Sequence, residues 1–547
     1  MSRGNILIPV TLQGLKVEEV SGPDQTIVPL GCARAAFVGR TLRGPVNRPV
    51  LLTSFAEFQH TFGGLWQPSP LGYAVEHFFD NGGRETFVVR VVNGARAVSV
   101  TLRAGGQRLI LRAVRPGTRE FLRASIDYDN IPAADASEFN LTVQRVRAPG
   151  TGQVEDQEIF PRLSILPDAE RYVGHAFLAS ELVRLEGGVP SQRPDRTLDS
   201  TSGLATGYIL SNADGDDGGP LTDYDVIGSK LDETGLFALD GVEYFNLLCI
   251  PPLSRERDVG PGVLLVGARY CKSRRALLIV DPPSGWLTAD DALRDLRRWE
   301  FANENALMYF PRILAHDKLR GHFESFAPCG AVAGMLARSD ETYPVWGPAK
   351  VDDAILRIGF RPSCLVTEDK RMRLASLGVN TILAGRSAAR IGVQPRTLAA
   401  GTAGTADWQS LAARRLALCI LNSVERGTRW VAHTRPHRDV TEQAGAQVRA
   451  FFERLHDDGA FGARTPEESF FVICDHRVNS EDCAPGGDFQ IVIGFAAARR
   501  REFHCFRISH SASGSKVDPV SLNRLNSAEC SPAELDWVDD LAKQLGP

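Results

Sequence analysis

The period of apolar and polar residues changes several times along this 547-residue chain. An apolar segment at residues 5–20 has no helical period and predicts an extended arm. Residues 33–93 predict a strand–helix–helix–strand unit, because apolar runs at 35–38 and 86–92 flank two stretches with helical spacing. Ser54 and the glutamate three residues later fit a capping box at the start of the first helix.

Residues 96–166 change to the two-residue period of strands, with Gly and Pro turns between them, and predict an inserted β-rich domain. The predicted strands are 98–103, 109–113, 121–127 and 139–145. A helix is predicted at 169–178. Residues 187–235 are rich in Gly, Ser, Asp and Pro, which predicts an exposed, mobile excursion.

Residues 236–345 alternate between short apolar runs and helical patterns, which is typical of parallel βαβ pairing. The predicted strands here are 245–250, 276–280 and 306–309, and the predicted helices are 260–272 and 290–300. The last third predicts helices at 408–426 and 441–458, and strands at 470–474, 489–495 and 503–508.

The end of the chain differs from the rest. The capping box SPAE at 531–534 has Pro at the first helical position, and apolar residues follow at helical spacing, namely Leu535, Val538, Leu541 and Leu545. Residues 511–547 carry six carboxylates and three basic residues, which leaves a net charge of −3. We therefore predict an acidic helix appended to the C-terminal end.

Composition and charge narrow the classes of function. Apolar residues make up 43% and charged residues 23%, as in ordinary globular proteins. The net charge of −4 and the pI near 6.3 give no basic excess for binding nucleic acid. Pro9 interrupts the apolar start, so no signal peptide is predicted, and the apolar runs are too short to span a membrane. We therefore expect the protein to fold in the cytoplasm.

Asp281 is the strongest candidate for a catalytic residue. It follows a predicted parallel strand, at the edge where open α/β sheets bind their ligands. An α/β enzyme with a crevice near Asp281 is therefore one alternative. However, the sequence has no glycine-rich phosphate loop, nucleophile elbow or HExxH motif. We expect Asp281 to be a turn or capping acid, and we predict no catalytic or cofactor-binding residues.

Three clusters resemble metal or nucleic-acid sites but lack essential parts. Cys474, His476 and Cys483 have no fourth ligand at a usual zinc spacing. The aspartates at 214, 216 and 217 lack the glutamate and the flanking helices of an EF-hand. The three arginines at 499–501 have no interleaved aromatic residues. We expect buried thiols and solvated loops at these places, with no metal and no cofactor.

A series of short motifs resembles contractile tail sheath proteins, the family shared by phage tails, pyocin-like particles and extracellular injection systems. Each motif is weak by itself, but their order across residues 14–508 is specific. The motifs are GLKVEEV (14–20), AFVG (36–39), RGP (43–45), TSFAEF (53–58), FGG (62–64), AVEHFFDNGG (74–83), FNLLCIPP (245–252), PCGAVAG (328–334), LGVN (377–380), RRL (414–416), ERGT (425–428), AF (460–461), TPEE (465–468), IGF (493–495) and EF (502–503). The chain departs from the family at VQPRTL (393–398), at the arginines 499–501 and in its extension beyond 510.

The resemblance implies a core domain near an inner tube, outer domains inserted in the middle of the chain, and terminal arms that enter the sheets of neighbouring subunits. The implied inter-subunit arm residues are Leu15, Val17, Val20, Ile491, Ile493, Phe495 and Phe503. An arm that completes its own chain's sheet is the alternative. Arg414 and Arg415 are candidates for facing the tube, with salt bridges inside the chain as the alternative.

The fold class expected from pattern and resemblance together is α/β, or α+β overall, in a multidomain sheath subunit with a mixed α/β core domain, an inserted β-rich domain and extended terminal arms. The predicted segments are an N-terminal arm (1–30), an α/β segment (31–95), the β-rich domain (96–190), the excursion (191–235), an α/β domain (236–390), a C-terminal core domain with terminal strands (391–509) and a C-terminal extension with an amphipathic helix (510–547).

The function that the resemblance implies is mechanical: helical polymerisation around an inner tube, and contraction that drives the tube through a target envelope. The implied partners are further copies of the chain, with or without sheath paralogues, the inner tube protein, and baseplate and tail terminator or cap proteins. The resemblance implies neither direct binding of nucleic acid nor insertion into a membrane. The final location would be a virion tail or an injection particle. A static tail, capsid or surface-layer protein is the remaining alternative.

Overall fold

The structure is a computed structural model that describes residues 11–12, 15–16, 26–199, 206–347, 354–357, 359–385, 388–392, 394–399, 406–433, 438–479, 488–497 and 502–520. The chain divides into two compact units. The central unit comprises residues 31–415, and the chain-end unit comprises Met1–Leu30 together with the residues from Leu416 onward. The predicted bounds of the C-terminal core domain, 391–509, stay a prediction.

The described residues form ten α-helices and four short 3₁₀ segments. The α-helices are α1 (Phe55–Phe62), α2 (Leu71–Asp80), α3 (Val173–Ala176), α4 (Asp223–Ile227), α5 (Pro261–Arg274), α6 (Ala289–Leu296), α7 (Cys329–Thr342), α8 (Glu368–Ser376), α9 (Leu411–Gly427) and α10 (Arg438–Asp457). The 3₁₀ segments are Gly235–Gly241, Ala406–Gln409, Arg429–His433 and Pro466–Glu468.

The strands in the same ranges are β1 (Thr11–Leu12), β2 (Leu15–Lys16), β3 (Ala35–Gly39), β4 (Val50–Leu52), β5 (Thr86–Arg90), β6 (Ser99–Ala104), β7 (Gln107–Ala113), β8 (Leu122–Asp127), β9 (Glu138–Val146), β10 (Val154–Ser164), β11 (Val183–Glu186), β12 (Ile209–Leu210), β13 (Leu247–Cys249), β14 (Leu277–Val280), β15 (Ala306–Phe310), β16 (Ile313–Asp317), β17 (His322–Phe326), β18 (Arg361–Pro362), β19 (Val379–Leu383), β20 (Arg390–Ile391), β21 (Phe470–Ile473), β22 (Phe489–Phe495), β23 (His504–Ser511) and β24 (Gly514–Val520).

The central unit is built on an eight-stranded sheet in the order β20-β19-β15-β14-β13-β3-β5-β4. The six inner strands pair in parallel, and β4 and β20 join the two edges antiparallel. Every residue of β14 and β15 is buried, as expected where helices cover both faces of a parallel sheet. The predicted parallel βαβ pairing is confirmed. In addition, β3 lies beside β13, so the segment at 31–95 and the α/β region after 236 form one sheet.

The first predicted helix begins and ends at the expected residues. The Ser54 side chain accepts a hydrogen bond from the Glu57 N–H, and Gly63 adopts a left-handed conformation with φ of 89° at the end of α1. The capping box is not reciprocal, because the Glu57 carboxylate bonds the N–H of Thr53, 2.7 Å away, instead of that of Ser54. The helix boundaries were therefore predictable from local side-chain chemistry.

The β-rich region contains the four predicted strands, extended by three that were not predicted. Two sheets, β10-β9-β8-β12 and β11-β7-β6, enclose a shared apolar core. The edge strand β10 was missed because most of its side chains are polar and exposed. The helix predicted at 169–178 is wrong in extent, since only Val173–Ala176 is helical and apolar Val173 and Phe177 pack into the β core.

Residues 187–235 were predicted to be an exposed, mobile excursion, yet several of the described residues in this range are tied to the β-rich region. Asp217 accepts hydrogen bonds from the backbone N–H and the hydroxyl of Thr118, both at 2.8 Å. The Asp216 backbone pairs with Arg96, and Asn212 bonds Ser99. The Gly and Asp residues therefore make specific turns against neighbouring strands, which composition alone did not reveal.

The chain-end unit contains a four-stranded antiparallel sheet in the order β21-β22-β23-β24, with α10 packed against it. One face of α10 is apolar and buried, and the Phe452 ring centroid lies 5.0 Å from that of Phe470. Residues that follow the N-terminal arm are bound in the same unit: the Ile27 carbonyl accepts from Arg454 at 2.7 Å, and the Leu30 N–H donates to Ser423 at 3.0 Å. Helix α10 and the segment around Ile27 thus form one packed body with the sheet.

No helix within these described ranges is long and apolar enough to cross a membrane.

A close backbone contact between α2 and α7 generates a first prediction. A β-carbon at Gly334 would lie 2.2 Å from the Phe78 carbonyl oxygen, and one at Gly330 would lie 1.9 Å from that of Ala74. We expect Gly334→Ala to lower the free energy of unfolding by at least about 2 kcal/mol, because the two helices must separate. Denaturant titration measures this change.

The matched control is Gly262→Ala in α5, where no atom lies within 4 Å of the added carbon. Since alanine favours helix over glycine, this variant should be as stable as the original protein or more stable by up to about 1 kcal/mol. Equal stability of the two variants would contradict the close α2–α7 packing.

Candidate assembly interface

Within the described residues, the four-stranded sheet of the chain-end unit has two open edges. Strands β22 and β23 are interior, whereas β21 and β24 each pair with one strand only within the described residues. Strand β24 pairs with β23 from Ser511 opposite Gly514 to Cys505 opposite Val520. Its other edge presents main-chain N–H and C=O groups that need partners. These edges are the places where another strand can join by β-augmentation.

Strand β24 was not predicted from the sequence, although it forms the open edge. Its residues alternate without a strong apolar stripe, and none of its side chains is fully buried. Gly514, with φ of 136°, makes the turn from β23. The glycine was the signal available in the sequence, because it marks a turn at the start of the short seven-residue run that forms β24.

The buried side chain of His510 links β24 to the segment that follows α9. One ring nitrogen lies 2.8 Å from the Thr428 hydroxyl, after α9, and the other lies 2.7 Å from the Ser515 hydroxyl in β24. Burial lowers the pKa of His510 to about 4, so the ring is neutral at pH 7. The edge strand is therefore held by a hydrogen-bonded chain through a histidine that is uncharged at pH 7 in the folded protein.

The predicted arm residues fall in different environments. Ile491, Ile493 and Phe495 lie on β22 and are fully buried, with strands of the same chain on both sides. Within this single chain the three residues lie at the centre of the sheet, and their assignment to an arm donated between subunits stays a prediction. Phe503 precedes β23 and is half-buried, with its ring centroid 5.5 Å from that of Phe471.

In the N-terminal arm, Leu15 belongs to β2 and pairs with Leu12 of β1 in a short antiparallel hairpin. Val17 and Val20 lie outside the described residues. The donation of this arm to another subunit stays a prediction.

Arg414 and Arg415 do not present free charges for a tube. Arg414 donates to the Asn305 side-chain oxygen at 2.6 Å and stacks 4.9 Å from the Trp408 ring centroid. Arg415 bonds Asp340 at 2.9 Å and the Cys32 carbonyl at 3.1 Å. Both side chains are less than a tenth exposed, so the tube-facing assignment is corrected in favour of contacts inside the chain.

Asp281 acts as a helix cap. Its Oδ1 accepts the N–H of Cys329, the first residue of α7, at 2.8 Å, and its Oδ2 is buried without a partner. Burial raises the pKa of Asp281 to about 6, while the Cys329 N–H and Arg312 oppose the shift. A carboxylate that accepts a hydrogen bond from the N-terminus of a helix is a usual structural arrangement.

The suspected metal clusters lie partly within the described residues. Within the described ranges no three His, Cys, Asp or Glu side chains converge as metal ligands. Burial raises the pKa of Cys474 to about 12, so it is a protonated thiol at neutral pH. Cys483 and the arginines 499–501 lie outside the described residues. The carboxylate of Asp217 is occupied by Thr118, and that of Asp216 accepts the Gly218 N–H at 2.6 Å.

The fold is shared with solved sheath proteins. The sheath tail protein Lin1278 from Listeria innocua is 13% identical, with a TM-score of 0.58 over 89% of this chain and 96% of that chain. The sheath complex of the extracellular contractile injection system PVC, in its contracted state, is 13% identical, with a TM-score of 0.50 over 90% of this chain and 96% of that one. The predicted resemblance to sheath proteins is thus confirmed in the fold, as is the mixed α/β multidomain class.

No protein-family model matches the chain, and no curated protein matches its sequence.

The buried ion pair of Arg415 yields a second prediction. Arg415→Ala should lower the free energy of unfolding by about 3 kcal/mol, because Asp340 would be left buried without its partner. Thermal or denaturant unfolding measures the change. The exposed i,i+3 pair of Arg294 supplies the control, and Arg294→Ala should change stability by less than about 0.5 kcal/mol. A stable Arg415→Ala protein with a selective assembly defect would restore the tube-facing role.

The pKa of His510 yields a third prediction. Because its pKa is about 4 in the folded chain and near 6.5 when unfolded, only the unfolded chain takes up this proton as the pH falls through 6.5. Lowering the pH from about 7.5 to 5.5 should therefore remove roughly 1 kcal/mol of stability through this residue. His510→Gln should lack that share of the pH dependence.

The measurement is hydrogen exchange of the β23 and β24 amides at both pH values, in the original chain and in His510→Gln. Equal pH dependence in the two proteins would contradict the neutral, buried state of His510.

Proposed function

We propose that this chain is a sheath subunit of a contractile tail or injection particle, which polymerises helically around an inner tube and contracts to drive that tube through a target envelope. The observation that carries the proposal is the fold shared with two sheath proteins over 89% and 90% of the chain. The ordered series of sequence motifs supports the same assignment from a separate direction.

Linkage between subunits is proposed to run through main-chain hydrogen bonds. The open edges of β21 and β24 supply unpaired N–H and C=O groups, and the arm at residues 5–20, with Leu15, Val17 and Val20, supplies a short apolar strand. A strand donated to a neighbour satisfies both sets of groups. Such a joint transmits tension along the polymer while allowing the rest of each subunit to rotate.

The energy of contraction must come from contacts that form only in the contracted lattice, because an element stabilised equally in both states cannot drive a change. A gain of a few kcal/mol per subunit exceeds RT several-fold, and many copies add together. The subunit itself then requires no nucleotide, cofactor or catalytic residue.

The proposed partners follow from this role. They are further copies of the chain, with or without sheath paralogues, an inner tube protein, and baseplate and tail terminator or cap proteins. Assembly would take place in the cytoplasm of the producing cell, and the finished subunit would belong to a virion tail or an injection particle. The enzyme alternative receives no support from Asp281, whose carboxylate caps α7.

The fourth prediction tests strand donation. The purified full-length chain should form tubes or helical polymers visible by negative-stain electron microscopy, and deletion of residues 5–20 should leave folded subunits that do not polymerise. Compact particles from the full-length chain would contradict the sheath assignment, and one lattice that never shortens would favour a static tail or surface-layer protein.

A pair of matched variants separates backbone pairing from side-chain packing. Val17→Pro with Glu19→Pro removes two N–H donors, whereas Val17→Ala with Glu19→Ala keeps both donors and shortens the same side chains. We expect the proline pair to block polymerisation and the alanine pair to retain it. Equal polymerisation by the two pairs would contradict main-chain donation of this arm.

A further inference from the structure

The central unit contains an open groove that none of the roles above uses. Its volume is about 660 Å³, and its walls come from three parts of the unit. One wall is formed around α1 and its flanking loops, the second by loops of the β-rich region, and the third by the tip of the β16–β17 hairpin. Because three separate chain segments contribute, the groove is a feature of the tertiary fold.

The charge of the groove is positive. Four cationic side chains line it against two carboxylates. Both carboxylates are already paired: Glu155 lies 2.7 Å from Arg43, and Glu76 lies 2.7 Å from Lys318. Arg119 and Arg147 are exposed, and their side chains have no hydrogen-bond or ion-pair partner among the described residues. Two unpaired positive charges therefore project from the same rim.

The floor between these charges is apolar. Leu42, Phe55, Leu65 and Phe121 are only half-buried there, and Leu319 is 49% exposed at the hairpin tip. Contiguous apolar side chains with a polar rim mark binding surfaces on soluble proteins. The groove thus favours an occupant that is both apolar and acidic.

The chain itself carries a segment with this composition. Residues 521–547 lie outside the described residues and contain five carboxylates against two basic residues, Arg524 and Lys543. Their apolar residues, Leu535, Val538, Leu541 and Leu545, recur at helical spacing after the SPAE capping box. We propose that the groove binds the 521–547 segment of a neighbouring copy, which rests on the proposed polymerisation of the chain.

The length of the segment allows this contact. A chain of this length spans up to roughly 90 Å when fully extended, whereas the radius of gyration of a compact protein of this size is about 24 Å. A tail that starts at the end of β24 can therefore reach the surface of an adjacent subunit. The ion pairs at the rim would orient the tail and speed its association, and burial of its apolar residues would hold it.

Photo-cross-linking in full-length protein tests the proposal. Benzoylphenylalanine replaces Trp537, and copies with natural isotopes are mixed with ¹⁵N-labelled copies before polymerisation and irradiation. Cross-linked peptides identified by mass spectrometry should join the tail to segments that contain Phe55, Arg119, Arg147 or Leu319. Pairs of one labelled and one unlabelled peptide should occur, because the tail reaches another copy. Cross-links confined to single copies, or to other surfaces, would overturn the proposal.

Charge-reversal variants supply the matched control. Arg119→Glu with Arg147→Glu should lower the yield of these cross-links by at least about fivefold. Arg103→Glu with Arg108→Glu alters two exposed arginines of the same β-rich region outside the groove, and should leave the yield unchanged. Circular dichroism checks that all variants fold. An equal loss in both pairs would mean a nonspecific charge effect and would overturn the groove as the site.

The outcomes separate this proposal from the proposed function. Polymers without the cross-link would leave the sheath assignment intact and overturn tail docking. Cross-links between copies in a protein that forms only compact particles would support tail docking and contradict the sheath assignment. Absence of both would overturn both.

Discussion

Unpaired strand edges are the constraint on which this account depends. A sheet edge exposes main-chain donors and acceptors in a fixed row, and proteins that leave such a row open recruit a partner strand or risk aggregation. Here the four-stranded sheet ends in β21 on one side and β24 on the other, and helix α10 packs against the sheet face. Growth by added strands is therefore directed to the edges of this sheet.

The central unit, unlike the sheet edges, is characterised by buried polar contacts and close backbone packing. A few of its arginines are buried and used inside the fold: Arg90, only 1% exposed, donates to the carbonyls of Gly44 and Pro116, and Arg415 is paired with Asp340. The glycines of α7 bring its backbone against that of α2. These contacts join parts of the central unit that are distant from one another in sequence.

Much of the fold was predictable because local chemistry and tertiary structure agree. Ser54 and Gly63 mark the ends of α1, and the continuous apolar runs of β13 to β15 predict a parallel sheet buried on both faces. Strands β10 and β24 were missed because edge strands carry mixed or polar side chains that give no clean alternation.

The errors at the candidate site have a related cause. A pair of adjacent arginines at the start of a helix gives no sign of burial, since the partners of Arg414 and Arg415 are about 75 to 110 residues distant in sequence. Strand β22 has two strand neighbours within the chain, and the sequence pattern did not predict this central position. Sequence pattern identifies strands well, but it does not say which strand lies at an edge.

The most direct test of the account is a high-resolution cryo-electron microscopy map of the assembled particle in which both chain ends can be traced. The account predicts that residues 5–20 of one copy run as a strand along the β21 or β24 edge of another copy. A map in which both ends of every copy pair only with strands of that same copy would contradict it.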